Sequence, residues 1–139
     1  MPLLELDVAV VPVDQGVYAV VRYSASDPEY EGVSRGGHFE GRDPSVGVSV
    51  LSSRWVPATP VLYLGKANNL RQRLRQFRDF GRGKPIGHWG GRYLWQLADC
   101  DELAICWRVT VEDSRSVERE LISSFRARFG SLPYANISA

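Results

Sequence analysis

Glu118 stands three, four and seven residues before Leu121, Ile122 and Phe125. On a helix of about 3.6 residues per turn it therefore points into the apolar stripe that those side chains make with Phe129. A carboxylate on a packing face is costly unless it is paired, protonated or bound to a metal. It reads either as a core salt bridge or frayed helix end, or as a metal ligand or catalytic carboxylate. Glu120, nearly opposite, belongs in solvent. Arg73 poses a related question. It flanks the stripe Leu70, Leu74 and Phe77, where a guanidinium either snorkels or, beside a lone carboxylate, holds a phosphate. Arg71, Arg75 and Arg78 gather on one flank of the same segment, next to a glycine-rich stretch carrying Arg82, Lys84 and Arg92. Such a cluster is a solvated face or a nucleic-acid surface. Tyr18 and Tyr63 suit core packing with the hydroxyl at the rim. His88, among the glycines of 87–92, reads as a surface histidine, and His38 carries no signal.

These residues need elements to position them. Residues 16–23 and 61–65 are Val- and Tyr-rich and read as strands. Residues 102–110 alternate, with Leu103, Ile105, Trp107 and Val109 on one face, and predict a third strand. Asn68 or Asn69 can cap a helix running to about Arg78, and Asp113 or Ser114 one running to Phe129, closed by Gly130. A short helix is expected over 92–97. Residues 24–58 differ: Gly, Ser, Pro and Asp punctuate them, with only Val46 to Leu51 strand-like. The order β, long insertion, β, α, loop and short α, β, α predicts one α+β domain over 1–139, with a small, mainly antiparallel three-stranded sheet flanked by helices.

Composition narrows the class. The chain has 139 residues, 44% of them hydrophobic and 24% charged, enough to bury a core and unlike a disordered chain. Cys100 and Cys106 make neither a disulfide framework nor a zinc pattern. Glu5 and Asp7 stand where a signal peptide would be basic, and no apolar run reaches membrane-span length. The expectation is a cytoplasmic protein. The net charge is +1, yet residues 66–92 hold eight basic side chains and one acidic, Asp79. Basic charge concentrated in a near-neutral chain suits a polyanionic partner.

Gly16-Val17-Tyr18, the run Tyr63-Leu64-Gly65-Lys66-Ala67-Asn68-Asn69-Leu70-Arg71-Gln72-Arg73-Leu74, Glu118 to Ile122 and Asn136 together resemble the GIY-YIG nuclease superfamily. The second stretch looks most like the nuclease domain of the bacterial excision-repair endonuclease. The resemblance spans the chain outside 24–58. It implies that Tyr18 and Tyr63 line an active site, that Arg73 contacts the scissile phosphate, and that Glu118 is the sole protein ligand of Mg²⁺ or Mn²⁺. Lys66 would match a lysine that follows the second motif in some members, and Asn136 would arrange the phosphate end of the site. The implied activity is metal-dependent DNA endonuclease cleavage by phosphodiester hydrolysis. Arg71, Arg75, Arg78, Arg82, Lys84 and Arg92 would then bind DNA.

The chain departs from that pattern twice. Phe77 occupies the position, one turn after the arginine, where many members carry tyrosine or histidine, and phenylalanine cannot hydrogen-bond. Proton removal would fall to Tyr63 alone or to His88 swinging in from its loop. Otherwise the domain is a catalytically impaired nucleic-acid binding module. Tyr18 and Tyr63 are also 45 residues apart, far more than a short hairpin, which puts simple strand pairing in doubt. A homodimer or a partner protein would have to supply specificity.

Overall fold

A computed structural model describes residues 1–137; the end of the expected 1–139 domain, residues 138–139, lies outside the described residues. Three strands, β1 (Gly16–Val21), β2 (Val61–Ala67) and β3 (Ala104–Val109), form an antiparallel sheet in the order β2-β1-β3. With helices α1 (Val48–Arg54), α2 (Leu70–Gly81) and α3 (Ser114–Phe129), this is an α+β fold. Despite the long connection, β1 and β2 pair directly, Tyr18 opposite Gly65 and Val20 opposite Tyr63. That pairing puts Tyr18, Val20, Tyr63 and Gly65 on one face, because side chains alternate along a strand.

Two glycines make this packing possible. A Cβ on Gly65 would collide with the ring and hydroxyl of Tyr18, and one on Gly16 with the Arg108 carbonyl oxygen and Leu70. Tyr18 can cross β2, and α2 can approach β1, only because both positions lack a side chain.

Helix α2 packs on the tyrosine face through Leu70, Leu74, Phe77 and Phe80, all fully buried. Asn69 caps it, its side chain accepting from Gln72 N, and the Leu70 and Arg71 amides donate to Asp14 and Pro12 carbonyls. The first turn's donors are thereby satisfied. Helix α3 covers the other face, burying Ile122 and Phe125. Asp113 caps its start, and Gly130, at φ 79°, ends it in the left-handed conformation.

The expected short helix is a 3-10 segment over Trp89–Gln96. The strand-like patch at 46–51 is instead covered by α1, so the alternation of valine and serine there is overridden by its surroundings. The connection between β1 and β2 is held by specific partners. Gln96, fully buried, donates from Nε2 to the Glu31 and Val46 carbonyls and accepts from Val46 N. Arg22 pairs with Asp99 at 2.8 Å and donates to Ser26 O. Backbone bonds tie Glu31 N to Gln96 O, Arg35 N to Trp95 O and Ala98 N to Glu29 O. No helix among the described residues is long and apolar enough to cross a membrane.

Candidate active site

The outer edge of β2 is where the two helical layers meet. Tyr18, Tyr63 and Arg73 reach it from the α2 side, and Glu118 from α3. Along with Lys66 they line one open cleft of about 450 Å³. Asn68, Asn69, Gln72 and Gln76 complete its polar wall. The 24–58 insertion contributes no residue to that lining.

The tyrosines form the floor. Tyr18 is 3% and Tyr63 8% exposed, with ring centroids 6.0 Å apart, and both meet Phe77 edge-on at 5.9 and 5.6 Å. Burial pushes the Tyr18 phenol well above its ordinary range, and the neighbouring Tyr63 pushes it further, while Arg73 pulls it down. Burial likewise raises Tyr63, with Arg73 opposing. Arg73 is held by two acceptors on Nη1, Gln76 Oε1 and Gly87 O, each at 3.2 Å. That fixes its guanidinium at the mouth of the cleft.

Glu118 is half-buried at the cleft wall, not centred in the core as the helical wheel suggests. The buried stripe of α3 is carried by Ile122 and Phe125, which begin one turn beyond Glu118. Desolvation raises its carboxyl pKa, and Lys66 and then Arg115 draw it back. Lys66 thus acts on Glu118; the cation that lowers Tyr63 is Arg73. Among the described residues no group of three or more His, Cys, Asp or Glu side chains is placed to hold a metal. Glu118 can offer one carboxylate with water completing the shell, a donor set that fits a hard cation such as Mg²⁺ and not a closed zinc site.

His88 is not a surface loop residue. It is fully buried, its Nε2 lies 3.0 Å from Tyr18 Oη, and its ring centroid is 3.8 Å from that of Phe77. Glycines on both sides let the loop pass close: a Cβ on Gly91 would lie 3.2 Å from Phe77, and one on Gly90 3.3 Å from Tyr63 Oη. His88 stands behind the tyrosines and does not line the cleft.

The residues expected to bind DNA separate into groups. Arg71 Nε donates to Val11 O at 2.8 Å, Arg78 Nη1 to Leu6 O at 3.0 Å and Arg82 Nε to Leu4 O at 2.9 Å. These three arginines hold the N-terminal segment against α2, Arg71 and Arg78 half-buried and Arg82 still exposed. Lys84 is exposed and 4.0 Å from Asp79, and Arg92 lies 5.3 Å from the Tyr93 ring centroid. Arg75 is exposed and makes no hydrogen bond or ion pair with another described residue. Asn136 does not line the cleft: its Oδ1 accepts from Leu64 N and its Nδ2 donates to Leu64 O, each at 2.9 Å. It mimics a strand partner on the β2 edge. Asn69, Gln72 and Gln76 escaped the sequence reading, although with Arg73 they recur at i, i+3, i+4 and i+7, a helical stripe as regular as the apolar one.

Comparison with known proteins finds no match: no family model, no curated protein and no solved structure is significantly similar to this chain.

Proposed function

We propose that this chain is a divalent-metal-dependent DNA endonuclease of the GIY-YIG type, hydrolysing phosphodiester bonds in the cleft at the β2 edge. The observation that carries the reading is the convergence of Tyr18, Tyr63, Lys66, Arg73 and Glu118, from four separate stretches of sequence, on that one cleft. An arginine fixed beside paired phenols and opposite a lone carboxylate suits an anionic, oxygen-rich substrate.

In this reading Arg73 binds a non-bridging oxygen of the scissile phosphate and stabilises the charge that grows there. Tyr63, whose hydroxyl faces Gly90 at the cleft floor, is the group that takes the proton from the attacking water. Its raised pKa means the phenolate must be favoured by cationic charge at the time of reaction, and Arg73 supplies part of it. Glu118 would hold the metal, Mg²⁺ or Mn²⁺, whose chemistry when bound is Lewis-acid stabilisation of the phosphoryl and leaving oxygens. Lys66 balances the Glu118 charge and keeps the carboxylate ionised.

The test is nicking of supercoiled plasmid and cleavage of single-stranded DNA with Mg²⁺ or Mn²⁺. Cleavage that EDTA abolishes and Glu118→Gln lowers by roughly 10³-fold is expected, since a bound cation contributes several kcal/mol to such a transition state. A Glu118→Gln protein that cleaves normally would refute the assignment. Phe77 favours the second reading, an impaired nucleic-acid binding module. Its buried ring brings no polar group to the tyrosines, and DNA binding without any cleavage would select that reading.

A further inference from the structure

The buried His88 has one partner and one orphan. Nε2 is 3.0 Å from Tyr18 Oη, while Nδ1 is buried with no hydrogen-bond partner among the described residues. The groups that face the imidazole are Tyr18 from β1, Tyr63 from β2, and Phe77 with the nearby Arg73 from α2. We infer that His88 is a positioning residue of the cleft: it stays neutral, carries its proton on Nε2 and donates it to Tyr18 Oη. The Tyr18 hydroxyl proton is thereby turned toward Tyr63, which is left as the accepting oxygen at the cleft floor. For its catalytic consequence this inference rests on the proposed nuclease reading; its hydrogen-bond content does not.

Three observations carry the direction. A neutral imidazole has one N–H, and placing it on Nδ1 would leave a buried donor without an acceptor, whereas placing it on Nε2 leaves only a lone pair unpaired. Orphaned buried N–H groups are the rarer case in folded proteins. Secondly, a charged imidazolium is disfavoured on this site: burial pushes the His88 pKa well down and the Arg73 charge pushes it in the same direction, outweighing a smaller upward pull from its own backbone. His88 therefore cannot serve as the final acceptor of a proton passed inward from Tyr63 through Tyr18. Thirdly, Tyr18 Oη sits among His88, Arg73 and Tyr63. Two of these, an N–H and a guanidinium, can only donate to it in this arrangement, so among the described residues around it Tyr63 is the acceptor left to its own proton. The ring contact with Phe77 holds the imidazole plane, so the phenylalanine that offers no hydrogen bond still sets the geometry of one that does.

Nitrogen-15 spectra of the imidazoles test the inference without reference to activity. The protein labelled at histidine has two imidazoles to assign, His88 and His38, the latter exposed on the insertion. His88 is expected to show a protonated Nε2 and an unprotonated Nδ1, unchanged from about pH 8 to pH 5.5, a range that spans the ordinary imidazole pKa. A proton on Nδ1, or titration of His88 within that range, would overturn it. Cleavage supplies the second arm. His88→Gln, which keeps an N–H at similar reach, should remain within about tenfold of the parent. His88→Phe, of similar bulk but with no donor, should lose about 10²-fold or more, with the ascending limb of its pH–rate profile moved to higher pH because Tyr18 no longer holds its proton on Tyr63 in favour of the phenolate. Equal rates for His88→Phe and the parent would refute the positioning role. If the parent cleaves nothing, the nuclease reading fails while the spectra still decide the hydrogen-bond direction.

Discussion

Helix α2 presents two polar faces, and they differ in what their hydrogen-bonding capacity is used for. On the side toward β2, Gln72, Arg73 and Gln76 open on a cleft shared with Glu118. On the side toward the N-terminus, Arg71, Arg78 and Arg82 donate to carbonyls of Val11, Leu6 and Leu4. Arginines of the one helix stand on both sides, Arg73 on the first and Arg71 and Arg78 on the second. The difference lies in what each face meets: residues 1–12 are largely irregular, so their carbonyls lack ladder partners and must be satisfied by side chains, whereas the cleft meets solvent. Capacity left open marks the face available for a ligand, and capacity already used marks architecture.

The comparison breaks most directly if the two faces are exchanged in a mutational test. Arg73→Ala should lower cleavage by about 10²–10³-fold, the usual effect of removing one charge-stabilising donor, with thermal stability close to the parent's. Arg71→Ala combined with Arg78→Ala should do the reverse. Each leaves a partly buried carbonyl, worth about 1–3 kcal/mol, and a domain of this size loses roughly 3–5 °C in Tm per kcal/mol. Cleavage at a temperature well below the transition should stay near the parent's. Should the double variant lose cleavage while keeping its Tm, the arginines on the N-terminal side would belong to the working surface after all.

How far the sequence discloses each face follows from the same contrast. Strand and helix periods put Tyr18, Tyr63 and Arg73 on faces that can be drawn from the sequence, whereas the wheel centres Glu118 in a core that it only borders, and no local pattern marks Gly16 and Gly65 as points of close packing. The N-terminal segment, the insertion and Gln96 are not legible. Their places are set by backbone-to-side-chain bonds between residues far apart in the chain, such as Gln96 with Glu31 and Val46, and no local pattern records them. His88 falls between the two. Its glycine neighbours suggest an exposed loop, yet the same glycines let the loop come close enough to bury it.

A smaller effect separates the buried histidine from the exposed one. His88 is held neutral by burial, with its folded pKa well below the ordinary value. Above about pH 6.5 neither the folded nor the unfolded chain binds the proton, and His88 adds no pH dependence. Below that, the unfolded chain takes up a proton that the folded chain refuses, so stability falls as pH falls, by at most about 1.4 kcal/mol per pH unit. Urea unfolding of the parent and of His88→Phe from pH 7.5 to 5.5 isolates the contribution, since His38 and the carboxylates are common to both. The parent's stability should drop faster below pH 6.5; parallel curves would mean that His88 is not the buried neutral group described.

The smallest effect concerns Arg75, which shares the helix with both faces and belongs to neither. It is exposed, and among the described residues it has no hydrogen-bond or ion-pair partner. Removing it should therefore cost the fold almost nothing, because an exposed, unpaired arginine contributes little to stability. If the α2 surface beside the cleft follows a DNA backbone, Arg75 meets one phosphate, and Arg75→Ala should lower affinity a few-fold at about 0.1 M salt. The slope of log Kobs against log salt should shrink by about 0.9, the counterion release of one duplex phosphate. Arg71→Ala is the matched control. Its guanidinium is already bonded to Val11 O, so its loss should appear in Tm and leave the salt slope in place. A titration series in which both variants change the slope equally would show that the two faces of α2 act as one electrostatic surface, and that hydrogen-bond engagement does not sort its arginines.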